Sequence, residues 1–175
     1  GTNIQLKDKV EQLSKGMVTQ LHLALIMAID SKLLVLDEPT LGLDIIYRKQ
    51  FYENLLNDYY DSQKTIVITT HQVEEIESIL TDLVFIGAGK ILLNASMDVV
   101  AETYVELQVD EQYKDHALAH NPIHIRSLLG GYSMLYEGCQ QRDSLAAIGR
   151  LATPSLSDLF VAKVKPQIGL HGVAS

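Results

Sequence analysis

Basic residues are scarce: Lys and Arg total 14 against 22 Asp and Glu, a formal net charge of −8 over 175 residues. That balance argues against a protein that binds nucleic acid by neutralising phosphates, so no nucleic-acid partner is expected. Cysteine is nearly absent. The one thiol, Cys139, has no internal disulfide partner and reads as a small buried hydrophobe in a cytosolic setting. Long apolar runs are missing as well: the longest, Leu23 to Ile29, falls far short of the ~20 residues a bilayer span requires, and no leader-like series opens the chain. Membrane association is therefore expected only through a partner. With 4 prolines, 11 glycines and 47% apolar residues, the composition excludes a collagen-like or disordered chain. It fits a folded chain of one ordinary domain or two small ones, without internal repeats or low-complexity segments.

What is present alternates. From Ser14 to Ile29 the chain is apolar on nearly all sides, with Ser14 suited to cap the start, and this predicts a buried helix. Leu33 to Leu36 is a short apolar run ending in Asp37, Glu38 and Pro39, the form of a strand covered on both faces in a parallel sheet. Phe51, Tyr52, Leu55, Leu56 and Tyr59 follow at helical spacing. Thr65 to Thr70 is a second β-branched strand ending at His71, and Val73, Ile76, Ile79 and Leu80 mark another helix. Strand, helix, strand, helix predicts a parallel α/β sheet with crossover helices. Leu83 to Ile86 and Lys90 to Leu93, separated by Gly87-Ala88-Gly89, read as a hairpin closing that sheet. Beyond about residue 103 the pattern becomes a small α+β appendage. Its last helix is expected to start at Thr153 as cap with Pro154 first, with Leu156, Leu159 and Phe160 on one face.

The chemistry concentrates where the first strand ends. Two adjacent carboxylates at a strand end point in different directions, so one suits a hard cation held through water and the other suits orienting a nucleophilic water. Alone, Asp37 and Glu38 are equally two solvated acids. The order of the surrounding elements favours the chemical reading.

Leu13 to Met17 (LSKGM), Leu33 to Asp44 (LLVLDEPTLGLD) and Ile68 to Gln72 (ITTHQ) together resemble the ATP-binding cassette (ABC) ATPases over residues 13 to 93. That resemblance implies a signature motif, a Walker B strand, a D-loop and a switch histidine, in family order and spacing. It makes Asp37 the acid that positions Mg²⁺ and Glu38 the general base for the attacking water. Asp44 becomes the D-loop residue at a dimer seam, and His71 the sensor of the γ-phosphate. Ser14, Lys15, Gly16 and Met17 stand at a helix N-terminus, which favours an anion. In the family this segment meets ATP held by the opposite protomer. Lys15 and Met17 depart from the family's glycine and glutamine.

The fold the resemblance implies is a partial P-loop NTPase sheet of ABC type, residues 1–103, followed by the accessory extension, residues 104–175. Within the sequence there is no G-x-x-x-x-G-K-[ST], and Gly87 to Lys90 is a decoy whose lysine belongs to a hairpin. The adenine-stacking aromatic and the glutamine loop are missing too, so half an ATP site is expected. The segment from Thr153 to Val164, TPSLSDLFVAKV, resembles the extension of ATP subunits serving exporters with separate permeases. The implied function is an ATP-binding, ATP-hydrolysing transporter subunit that uses ATP and Mg²⁺. Its partners would be a transmembrane permease and a second ATP-binding subunit, a homodimer, on the inner face of the cell membrane. The chain by itself is expected to be inactive. The alternatives are a DNA-repair or chromosome-organising relative, disfavoured because no sustained heptads occur, and a non-catalytic regulatory or interaction module.

Overall fold

The computed structural model describes residues 5, 7, 9–61, 63–138 and 142–164; Cys139 lies outside them. Internal contacts divide the chain into two compact units, one ending at Ile79 and the other beginning at Leu80.

In the first unit, α1 (Lys15–Met27) begins at Ser14, whose side chain accepts a hydrogen bond from the Met17 N–H at 3.2 Å, the N-cap expected from sequence. β1 (Leu33–Asp37) pairs in parallel with β2 (Thr65–Thr69), and α2 (Ile45–Asn54) lies between them in the chain. A π-helical turn, Leu55–Tyr59, prolongs α2. Phe51, Tyr52, Leu55 and Tyr59 are buried as their spacing predicts, while Leu56 is exposed. α3 (Val73–Ile76) is a single turn continued by a 3₁₀ turn through Ile79.

Two expectations about burial need correction. Among the residues of α1 only Leu23 is buried, and Leu25 is 58% exposed. In β1, Leu34 and Leu36 are buried but Val35 is 60% exposed, and in β2 Val67 is exposed as well. A strand has two faces, and an apolar run says that both avoid water without saying which the same unit covers. Here the unit covers one.

The second unit opens with the hairpin β3 (Asp82–Gly87) and β4 (Lys90–Ser96), joined by Ala88 and Gly89, both at positive φ as a tight primed turn requires. It forms as expected, but β3 and β4 make a two-stranded antiparallel sheet of their own instead of extending the parallel pair. α4 (Met97–Thr103) then leads into β5 (Tyr104–Asp110), α5 (Lys114–Leu118), β6 (His124–Leu128), β7 (Gly131–Glu137), α6 (Arg142–Ala146), β8 (Arg150–Ala152) and α7 (Leu156–Val164). The four strands form one antiparallel sheet in the order β6-β7-β5-β8. Its core joins Val105, Leu107 and Val109 of β5 to Met134, Tyr136, Ala117 and Leu145.

α7 starts two residues later than expected. Ser155, not Thr153, accepts the Asp158 N–H at 3.2 Å, and Pro154 is fully buried ahead of the cap. Leu156 and Leu159 are buried, and Phe160 meets Phe85 edge-on at 5.1 Å between ring centres. The described residues form a mixed helix and sheet fold with one parallel and two antiparallel sheets.

Candidate functional site

Register brings the chemistry together. Asp37 sits opposite Thr69 in the β1–β2 ladder, and the Glu38 N–H donates to the Thr69 carbonyl at 2.9 Å, so the two strands end abreast. Residues just past the ends, Asp37-Glu38 on one strand and Thr70-His71 on the other, are therefore neighbours. Glu38 adopts φ 45°, a left-handed conformation that costs a non-glycine residue about 1–3 kcal/mol. The backbone turns off the strand there, and the carboxylate faces the end of β2.

Three donors converge on that carboxylate. Oε1 accepts from the His71 backbone N–H at 3.0 Å and lies 2.6 Å from the His71 ring Nδ1, while Oε2 accepts from the Thr70 hydroxyl at 3.2 Å. The His71 ring hydrogen bond holds the Glu38 carboxyl below its ordinary range; burial opposes the shift, and the Thr70 and His71 N–H bonds reinforce it. Glu38 is thus an ionised base with a side chain still 31% exposed, beside a His71 ring that is 66% exposed. Because an ionised carboxylate only accepts, Nδ1 carries the proton. Asp37 is exposed, and its carboxylate accepts from the Thr69 hydroxyl.

Asp44 is exposed and caps α2, its Oδ1 accepting from Ile46 and Tyr47 N–H groups at 3.0 Å each. The loop ahead of it is pinned by a buried Thr40, 2% exposed, whose hydroxyl lies 3.3 Å from that of Tyr52. Ser14, Lys15, Gly16 and Met17 open α1, with Ser14 and Lys15 exposed. A Cβ on Gly16 would meet the Gly42 carbonyl at 3.6 Å, an ordinary contact, so the start of α1 lies against the loop that leads to Asp44. The structure thus joins Asp37, Glu38 and His71 at one strand edge, and the start of α1 to the 39–44 loop.

Sequence reasoning missed Thr69 and Thr70, which it read only as strand residues, and Arg48 and Glu75, which form an ion pair at 2.5 Å across 27 positions. A hydroxyl beside a strand-end acid is a usable signal for the first two. The second pair has none, because no periodicity links α2 to α3.

No family model matches the chain. It is 30% identical over 101 residues to the ABC transporter ATP-binding protein YtrB of Bacillus subtilis (strain 168), which covers 58% of this chain and 35% of that protein. It is 36% identical over 124 residues to the Nod factor export ATP-binding protein I of Rhizobium sp. (strain N33), covering 71% and 39%. Against the taurine import ATP-binding protein TauB of Yersinia pestis bv. Antiqua (strain Antiqua) the identity is 38% over 78 residues, covering 45% and 31%. The chain thus spans 31–39% of the length of these curated relatives. Over the matched part, at 30–38% identity, the homologues of this chain are the ATP-binding proteins of ABC transporters.

Proposed function

We propose that the abreast ends of β1 and β2 are the hydrolytic edge of an ABC-type ATP site, on a sheet of the P-loop NTPase kind, and that the protein carrying this chain couples ATP hydrolysis to a membrane permease. The observation that carries this is the Glu38–His71 contact of 2.6 Å just past the end of the strand LLVLD, which runs on as EPT. Glu38, ionised and partly exposed, takes the proton of the attacking water. His71, anchored through Nδ1, offers Nε2 to the γ-phosphate. When the ring is neutral Nε2 presents a lone pair, so donation to a phosphate oxygen requires the imidazolium.

Among the described residues no group of three or more His, Cys, Asp or Glu could hold a metal. Asp37, an exposed carboxylate at the end of β1, would hold Mg²⁺ through water as an ion delivered with nucleotide phosphates. Bound there, Mg²⁺ supplies charge neutralisation on the phosphate oxygens. The helix N-terminus at Ser14, Lys15, Gly16 and Met17, whose Met17 N–H Ser14 caps, meets ATP held by a second, identical subunit, and Asp44 lies at the seam between the two.

The named relatives include one for export of Nod factor and one for import of taurine, so they share ATP binding and differ in cargo and direction. The exporter-like tail from Thr153 to Val164 favours export. The permease holds the subunit at the inner face of the membrane; among the described residues no helix is long and apolar enough to cross it. Residues 1–103 form the ATPase portion and 104–175 an accessory extension. Because no phosphate-cradling Gly-rich loop occurs in these residues, the chain by itself neither holds Mg-ATP tightly nor turns it over, which calorimetry checks.

The test is Glu38→Gln in a protein that contains this chain and hydrolyses ATP. It keeps the shape and removes the charge, so turnover falls by about 10²-fold or more with ATP binding retained. Turnover near wild type would place the base elsewhere.

A further inference from the structure

We propose that Arg48 is a positioning residue that locks the 39–44 loop to the segment following His71, and so sets the geometry of the Glu38–His71 pair. This rests on the reading of Glu38 and His71 as the hydrolytic pair, but its own evidence is a separate set of contacts. Arg48 lies in the first turns of α2. Its Nε donates to the Leu43 carbonyl at 2.7 Å, and its Nη1 donates to Gln72 Oε1 at 2.9 Å and to Glu75 Oε1 at 2.5 Å. One planar group thus holds the residue before Asp44, the residue after His71 and the turn of α3.

The contacts continue to the carboxylate. The Gln72 N–H donates to the Thr70 hydroxyl at 3.0 Å, and that hydroxyl donates to Glu38 Oε2 at 3.2 Å. Glu75 adds a second tie, accepting through Oε2 from the buried Thr40 hydroxyl at 3.5 Å. An unbroken path therefore runs from the Leu43 carbonyl through Arg48, Gln72 and Thr70 to Glu38. The Arg48 and Glu75 side chains are 25% and 26% exposed, so water competes for these bonds less than at an open surface.

The fork is what matters. Arginine presents several N–H groups in fixed directions, whereas a lysine ammonium is a point charge on a flexible stem. Lysine at this position keeps the charge and most of the packing and loses simultaneous contact with Leu43, Gln72 and Glu75.

The test is residue-resolved amide hydrogen exchange on the full 175-residue chain and its Arg48→Lys variant. The expected result is a local acceleration of about tenfold or more at the Leu43, His71 and Gln72 amides, with the β1 amides of Leu34 and Leu36 unchanged. Unchanged exchange at all five overturns the proposal, and so does equal acceleration at all five, which marks a merely structural role. If Arg48→Lys does not fold, Glu75→Gln, which removes the acceptor charge at constant shape, is read by the same criteria. In an ATP-hydrolysing protein containing the chain, Arg48→Lys lowers kcat with little change in KM; an unchanged kcat overturns the link to the pair. Exchange needs no nucleotide. Local acceleration with Glu38→Gln turnover near wild type would therefore sink the functional reading and leave the lock standing.

Discussion

His71 Nδ1 lies 2.6 Å from Glu38 Oε1, and the His71 backbone N–H donates to the same oxygen at 3.0 Å, so one residue grips one carboxylate oxygen twice. The grip follows from register. Parallel strands paired at Asp37 and Thr69 end side by side, and the left-handed turn at Glu38 brings its carboxylate across.

The pair carries a pH dependence. The Glu38 carboxyl is held below its ordinary value of 4.5, chiefly by the His71 ring. A depressed carboxyl pKa contributes stability that is complete above the unfolded value and is lost as pH falls through the folded one. His71→Ala should therefore shift the Glu38 midpoint upward and shrink the fall in stability below pH 4.5. Denaturant titrations of both proteins across the acid range check this. An acid limb of unchanged depth in the variant would mean that His71 is not what depresses Glu38.

In the second unit, a Cβ on Gly131 would lie 2.1 Å from the Val109 carbonyl oxygen, backbone that cannot yield as a side chain does. Gly130, beside it, has open space around its Cβ position but a φ of +84°. Gly131→Ala should cost about 1–3 kcal/mol by overpacking. Gly130→Ala should cost about 1–2 kcal/mol from its backbone conformation alone. Hydrogen exchange across β5 and β7 should show the larger loss of protection in the first variant; equal losses would mean that β5 moves aside freely.

Much of this was legible in advance. The apolar runs ending in Asp37 and His71 located β1 and β2, and their alternation with helices implied the parallel pairing that places the two residues together. Ser14 showed itself as a cap because capping is local chemistry. What stayed hidden depends on distant partners. Val35 and Leu36 are equally apolar, and only the folded unit shows that one is exposed and the other buried. Glu106 offers no sign of being 6% exposed, accepting the Ser133 hydroxyl at 2.7 Å across a strand pair. Thr153 and Ser155 are both good caps, and the choice between them came with the burial of Pro154.

The start of α1 makes a prediction between chains. If Ser14 serves ATP held by a partner subunit, Ser14→Arg should abolish turnover and spare nucleotide binding to the same subunit. Mixing that variant with a subunit disabled in its own phosphate loop leaves one intact composite site. Partial recovery of ATPase activity in the mixture, absent from either variant alone, is expected where one site suffices. No recovery in verified heterodimers would return Ser14 to the role of helix cap.

The most direct test treats Glu38 and His71 as one device. In a protein that contains this chain and hydrolyses ATP, single-turnover rates are compared for Glu38→Gln, His71→Ala and the double variant. Groups acting as a unit lose their effect together, so each single change should cost about 10²-fold or more and the double little beyond the worse single. Losses that multiply, or a Glu38→Gln rate near wild type, would contradict the account: the 2.6 Å contact would then be a structural bond between two independent groups.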